Sequence, residues 1–148
     1  MRFKCVWSKL VTMVTIAVLA LVVFVFYKFG TSSSIFFSIS FVVLLGVFAY
    51  MPIYIEVTQD ALIVKRVLGS LVIPRKDIES IGLCPSQFGF RKFGSGGLFG
   101  YIGWFWNRDI GNYFSYSTDE TNQILIVTPT RKYVISCENR EELLRRFV

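Results

Sequence analysis

Between Lys9 and Lys28 the chain carries no charged side chain, and the run Leu10 to Tyr27 (LVTMVTIAVLALVVFVFY) is apolar apart from Thr12 and Thr15. Those two hydroxyls can bond back to helix carbonyls, so they do not spoil an apolar helix. A helix rises about 1.5 Å per residue and crosses about 30 Å of hydrocarbon with roughly 20 residues. This run suffices once its flanks are counted. After Lys28 the next charge is Glu56, and between them lies Ile35 to Tyr54 (IFFSISFVVLLGVFAYMPIY), again long enough to span. The expectation is two transmembrane helices, about 10–27 and 35–54, within an N-terminal unit of residues 1–54. They are joined by the short polar turn Lys28–Ser34, where Gly30 stops the first helix and a serine or threonine begins the second.

Two other readings fit these runs less well. A cleaved signal peptide followed by one anchor fits the leading Arg2, Lys4 and Lys9, but the first apolar run is longer than a signal's core and no small-x-small cleavage site follows it. A buried hairpin of a soluble bundle requires a polar face on each helix, and neither run has one. Lysine and arginine are retained on the cytoplasmic side of short loops. Arg2, Lys4 and Lys9 before the first span, against Lys28 alone in the hairpin, therefore predict both termini inside a cell (inner or plasma) membrane. Trp7, Tyr27, Tyr50 and Tyr54 fall at depths where aromatic rings favour the lipid–water boundary.

The net charge of +6 is unevenly spread: residues 1–55 hold four positive and no negative side chains, and the remainder holds twelve positive and ten negative. The excess lies beside the expected bilayer, where it favours anionic headgroups and gives no reason to invoke nucleic acid. Cys5, Cys84 and Cys137 are odd in number and lack C-x-x-C spacing, which fits a reducing compartment and argues against a disulfide framework or a zinc site.

From Ile53 the period changes to two. Ile53–Val57, Ala61–Val67 and Leu71–Pro74 read as three strands, with turns at Thr58–Asp60 and Leu68–Ser70. Ile78–Leu83 breaks alternation, which a bulge or short helical turn would resolve. Asn112–Ser117, Ile124–Val127 and Lys132–Ile135 read as further strands, the last two as a hairpin through Pro129–Arg131. The C-terminal Asn139–Val148 reads as a helix: Asn139 as N-cap with Glu142 at the capping-box position, and an apolar stripe of Leu143 with Phe147 and Leu144 with Val148. Residues 55–148 are thus expected to form one cytoplasmic domain.

Between the early and late strands lies Phe88–Gly111 (FGFRKFGSGGLFGYIGWFWNRDIG), with seven glycines and eight aromatic residues. One reading is structural: glycines let a strand kink while the rings pack into the core. The other makes Phe93, Phe99, Tyr101, Trp104 and Trp106 an exposed surface that dips into the lipid interface or grips a partner. The glycine run matches neither phosphate-loop spacing, and no helix pattern follows it.

The order of these elements, with Ile73–Ile78, the block Phe93–Tyr101 with Gly103 and Trp104, Gly111–Thr118 and the final strand and helix, resembles the bacterial pleckstrin-homology (PH-like) family, in particular its membrane-anchored members. The resemblance covers about residues 50–148. It implies two roughly orthogonal antiparallel sheets forming a β-barrel-like enclosure, with the C-terminal helix plugging one end. It also implies a binding function. Eukaryotic PH domains that hold inositol phosphates place lysines and arginines around the first hairpin, whereas Thr58-Gln59-Asp60 has no positive charge. That departure argues against specific phosphoinositide recognition. The basic pairs Lys65-Arg66, Arg75-Lys76, Arg91-Lys92 and Arg131-Lys132 then read as solvated strand ends or weak attraction to anionic lipid.

Catalysis lacks its usual means. Histidine is absent, no nucleophile motif is present, and the acidic pairs sit in turns and at a helix start. No cofactor or metal is implied. The sequence therefore predicts a non-enzymatic, membrane-tethered binding or scaffolding module, integral to the lipid bilayer, with a protein partner or self-association. Phe93, Phe99, Tyr101, Trp104, Trp106, Arg75, Lys76, Arg91 and Lys92 are its candidate surface. The alternative is a small membrane protein that assists transport or toxin immunity through the hairpin. Small and hydroxyl residues in the spans favour it, and the lack of an intramembrane ionisable group stands against it.

Overall fold

The computed structural model describes residues 1–30, 34–85 and 89–147. An apolar helical hairpin, α1 (Lys9–Phe29) and α2 (Ser34–Tyr50), precedes two β-sheets and a short C-terminal helix. Ser8 caps α1 by accepting from the Val11 amide at 3.2 Å, and Gly30 closes it at φ 52° with its N–H on the Phe26 carbonyl. Phe26 and Phe37 pack edge-on at 4.9 Å across the hairpin. Thr31, Ser32 and Ser33 of the expected connection lie outside the described residues.

The second helix is shorter than the sequence suggests. It ends at Tyr50 rather than Tyr54, because Pro52 cannot continue a helix and Pro52–Val57 is already strand β2. Nor does the N-terminus stand apart from the β domain: Arg2–Lys4 forms strand β1, paired antiparallel with β2 in the register Arg2↔Glu56, Phe3↔Ile55, Lys4↔Tyr54. Phe3 is the inward residue of that strand, and Arg2 reaches Glu56 at 3.3 Å. The unit the sequence placed at residues 1–54 thus shares its first and last residues with the first sheet.

That sheet has the order β1-β2-β3-β4, with β3 at Ala61–Arg66 and β4 at Ser70–Pro74. The 3₁₀ turn Arg75–Asp77, which takes up the broken alternation seen in the sequence, leads to β5 (Ser80–Leu83). The second sheet has the order β5-β9-β10-β8-β7-β6, with β6 at Phe90–Gly96, β7 at Tyr101–Asn107, β8 at Gly111–Ser117, β9 at Gln123–Val127 and β10 at Lys132–Ser136. Two expectations need correction. The strands are not all antiparallel, since β10 enters between β8 and β9 and runs parallel to β8. Nor do the sheets close into a barrel: among the described residues β1 and β4 remain edges of one sheet, and β5 and β6 of the other.

Alternation builds the core. Ile55 faces Val64, Val57 faces Leu62 and Leu62 faces Ile73, so every second residue of β2, β3 and β4 points inward. These meet Ile102, Tyr116, Ile124, Ile126 and Ile135 of the larger sheet in one buried cluster, closed by Leu143 of α3 (Arg140–Arg145). Each fully buried leucine or isoleucine contributes about 1.5–3 kcal/mol through removal of apolar area from water. Leu144 and Phe147 also pack on this cluster, as the sequence stripe requires, while Val148 lies outside the described residues. The capping box does not form: Asn139 precedes α3 with no side-chain cap bond, and Glu142 instead reaches Arg146 at 3.7 Å.

Candidate functional site

Phe90–Asn107 of the glycine and aromatic block forms the β6–β7 hairpin at the open edge of the larger sheet, while Phe88 lies outside the described residues. Its strands approach closely because Gly94 and Gly103 stand opposite each other, both at positive φ. A Cβ on Gly94 would fall on the Ile102 carbonyl oxygen, and one on Gly103 on that of Phe93. Phe90 is paired with Trp106 and Phe93 with Trp104, with a register shift between Arg91 and Phe93. The outward rings are bare: Phe90 is 76% exposed, Phe93 77% and Trp106 44%.

Rings continue from this edge into the core. Trp104 meets Phe114 edge-on at 5.2 Å, and Phe114 meets Tyr116 at 4.8 Å. Arg131 lies 5.6 Å over Trp104, a cation–π distance. Lys92 Nζ donates to Asn112 Oδ1 at 2.7 Å, and Arg91 Nη1 to the Gly94 carbonyl at 3.4 Å. Among the described residues the ion pairs are Arg2–Glu56 and Glu142–Arg146, so Arg91, Lys92 and Arg131 have no carboxylate partner. Exposed aromatic rings beside uncompensated cations match the composition of protein-interface hot spots.

At its other end the hairpin turns back onto the helices. Phe99 takes the left-handed conformation, φ 57°, and its N–H donates to Thr15 Oγ1 at 3.0 Å. Its ring lies 6.0 Å from Trp7 and 5.5 Å from Phe48. Gly97 packs against Val14, where any side chain would crowd the valine. Val11 and Thr15, the buried residues of α1, lie at this contact end of the helix. Thr118, at the end of β8, donates through Oγ1 to the Val6 carbonyl and accepts from the Ser8 amide. The end of α2 is held by the β3–β4 turn, whose Val67 and Leu68 amides donate to the Met51 and Ala49 carbonyls.

The nine candidate residues therefore divide. Phe93, Trp104, Trp106, Arg91 and Lys92 share the β6–β7 edge, whereas Phe99 belongs to the helix contact. Tyr101 points to the opposite sheet face, where it lines a cavity of about 160 Å³ with Phe105, Tyr113, Ser115 and Gln123. Its hydroxyl is buried without a partner, and burial followed by Glu120 and Asp119 raises its pKa. Arg75 and Lys76 lie elsewhere: Arg75 donates to the Arg146 carbonyl and stacks 4.7 Å over Phe147. Sequence reasoning missed Phe90, Phe114 and Arg131 at the edge, and Trp7, Thr15 and Phe48 at the helix contact. Only the alternation of β8 could have pointed to Phe114. No spacing signals the others, which meet through tertiary pairing.

Cys5 and Cys137 are poor nucleophiles here. Burial raises Cys5 to about 12, with Cys137 nearby adding to the effect, and burial raises Cys137 to about 11 against the Asn139 amide and Arg140. A thiol so held gives little thiolate at neutral pH. Arg66, at the β3–β4 turn, is already engaged: it donates to Tyr116 Oη at 3.3 Å and stacks 4.9 Å over Tyr50.

A comparison with protein families matches residues 53–147 to a family described as bacterial PH domain, well over half of the chain. No curated protein and no solved structure matches.

Proposed function

Because the chain belongs to the bacterial PH domain family, we propose that it is a non-enzymatic binding or scaffolding module, held at the cytoplasmic face of the inner membrane by its helical hairpin. The β6–β7 edge is its protein-binding surface. The observation that carries this reading is the joint between hairpin and domain. Strand β1 enters α1, and α2 leaves into β2, the strand that β1 pairs with, so both ends of the hairpin sit at one domain.

The helices themselves favour lipid. Leu21, Val23 and Phe24 of α1 and Ile39, Phe41 and Val42 of α2 each expose more than half of their surface. A continuous apolar surface of that kind is costly in water and neutral in hydrocarbon. At about 1.5 Å per residue, the 21 residues of α1 reach about 32 Å and the 17 of α2 about 26 Å. The first matches a bilayer core; the second is a few ångströms short, a mismatch that local thinning absorbs at modest cost. With Arg2, Lys4 and Lys9 on the domain side against Lys28 at the far end, charge favours a cytoplasmic domain.

A photo-crosslinking side chain at Phe93, with Asp60 on the β2–β3 turn as control, tests the partner surface in native membranes. The reading expects a discrete adduct from position 93 and none from 60. Equal, diffuse labelling from both positions would overturn it.

A further inference from the structure

We propose that the β6–β7 turn, Gly97–Gly100, is itself a lipid-contacting element, sunk beside the hairpin into the interfacial layer of the bilayer, and that Leu68 of the β3–β4 turn makes a second, shallower contact. This rests on the membrane reading of the hairpin and deepens it.

Depth is the first argument. Thr15, which receives the Phe99 N–H, lies six residues into α1 from Lys9, about 9 Å along the helix axis. Lysine stems extend so that the ammonium stays in water, which places Lys9 at headgroup level. A turn docked at Val14 and Thr15 then sits within the layer where headgroups give way to acyl chains. Phe48, its contact on α2, lies before the helix end at Tyr50, so both helices place it on the hairpin side of the joint.

Composition agrees. From Phe93 to Asn107 there is no charged residue, and the turn reads Gly-Leu-Phe-Gly. The hydrogen bonding of the turn is more specific still. Irregular backbone survives at membrane depth only where its polar groups are satisfied by protein. In this turn the Gly97 amide donates to the Gly100 carbonyl at 3.0 Å, Ser95 Oγ donates to the Leu98 carbonyl at 2.6 Å, and the Phe99 amide donates to Thr15 Oγ1. A solvated hairpin turn has no need to recruit a helix hydroxyl for its amide.

The β3–β4 turn repeats the pattern at the end of α2. Its Val67 amide is spent on the Met51 carbonyl just past α2, its Leu68 amide on the Ala49 carbonyl within it, its Arg66 amide on the Gly69 carbonyl, and Leu68 is 72% exposed. Arg66, stacked on Tyr50, stands at its root as the cation and aromatic pair suited to the boundary. Two contacts, one against α1 and one at the end of α2, fix the tilt of the domain. They hold the β6–β7 edge so that it starts at the bilayer and leads away from it.

The test uses the full chain in nanodiscs of phosphatidylethanolamine and phosphatidylglycerol, with a spin label on a genetically encoded ketone side chain at position 98, 68, 20 or 108. Collision with oxygen and with a water-soluble nickel chelate reports depth. Position 98 is expected to favour oxygen, and position 68 to lie between position 20 in the hairpin and position 108 on the β7–β8 turn. A chelate accessibility at 98 equal to that at 108, with 20 still favouring oxygen, would overturn the proposal and leave the membrane anchor standing. An aqueous position 20 would overturn both. Should the label at 98 disturb the turn, Leu98→Trp gives an independent reading: quenching by brominated acyl chains supports insertion, and quenching no greater than for Asp109→Trp contradicts it.

Discussion

Thr15→Val isolates the joint between hairpin and domain with little change of shape. Thr15 is 3% exposed, and its hydroxyl donates to the Val11 carbonyl at 2.7 Å while accepting from the Phe99 amide at 3.0 Å. Valine fills the same volume, and its helix propensity is close to that of threonine. The Val11 carbonyl keeps its helical amide partner. The Phe99 amide, however, loses its acceptor in a site that excludes water, at a cost of about 1–3 kcal/mol. Thr15→Ser keeps the hydroxyl and removes one methyl group, about 0.8 kcal/mol at most. Unfolding in mild detergent, followed by tryptophan fluorescence because Trp7 lies 6.0 Å from Phe99, should rank wild type above Ser and Ser above Val. Hydrogen exchange at the Phe99 amide should accelerate in the valine variant alone. Unchanged stability together with unchanged exchange at Phe99 would refute the claim that this bond ties the turn to α1.

Gly103→Ala should cost about 3 kcal/mol or more, since it combines backbone strain at φ 134° with a clash on the Phe93 carbonyl; a denaturation midpoint close to wild type would contradict the close approach of β6 and β7. Asp119 is partly buried, which raises its pKa, but hydrogen bonds from Thr121 and Asn122 outweigh this and hold it below the usual carboxylate value. Its contribution is therefore full above the unfolded-state pKa of about 3.9 and fades as pH falls through the lower folded value. Asp119→Asn should lower stability at pH 7 and shrink the gap to wild type under acid; a gap that does not change with pH would count against this. Replacing residues 10–50 with an unrelated two-helix anchor should preserve the adduct formed from Phe93. Its disappearance would move the binding function to the hairpin.

Much of the fold was legible because it rests on local periodicity. Ile55, Val57, Leu62 and Val64 stand at every second position of their strands, and the structure buries them on one face. The apolar runs likewise announced two helices. What escaped depends on contacts distant in sequence. Strand β1 has three residues and a single inward side chain, Phe3, and its flanking Arg2 and Lys4 look like the charged approach to a span until Glu56 and Tyr54 are placed beside them. The second helix looks longer in the sequence than in the structure because composition stays apolar through Tyr54, although Pro52 marks where the chain becomes a strand. The parallel pairing of β10 with β8 cannot be read from either strand alone.

At the site, the two readings of the glycine and aromatic block each fit different residues. Gly94 and Gly103 serve close strand approach, and Phe105 stacks on Tyr113 in a small buried cluster. Phe90, Phe93 and Trp106 face outward from the same two strands: Trp104 and Trp106, two apart, share a face, and the register shift between Arg91 and Phe93 brings their partners Phe93 and Phe90 onto it as well. The sequence marks Thr15 as a hydroxyl able to bond the carbonyls of its own helix, and it does bond Val11. The second half of its role needs Phe99, 84 residues away.

The proposal that the hairpin spans the membrane is tested most directly by accessibility in whole cells. A labelling site introduced at Gly30 should react with a reagent that cannot cross the inner membrane, while one at Asp109 should react only after lysis. Protection of position 30 in intact cells, or reaction at both positions with the chain recovered in the soluble fraction, would contradict the account.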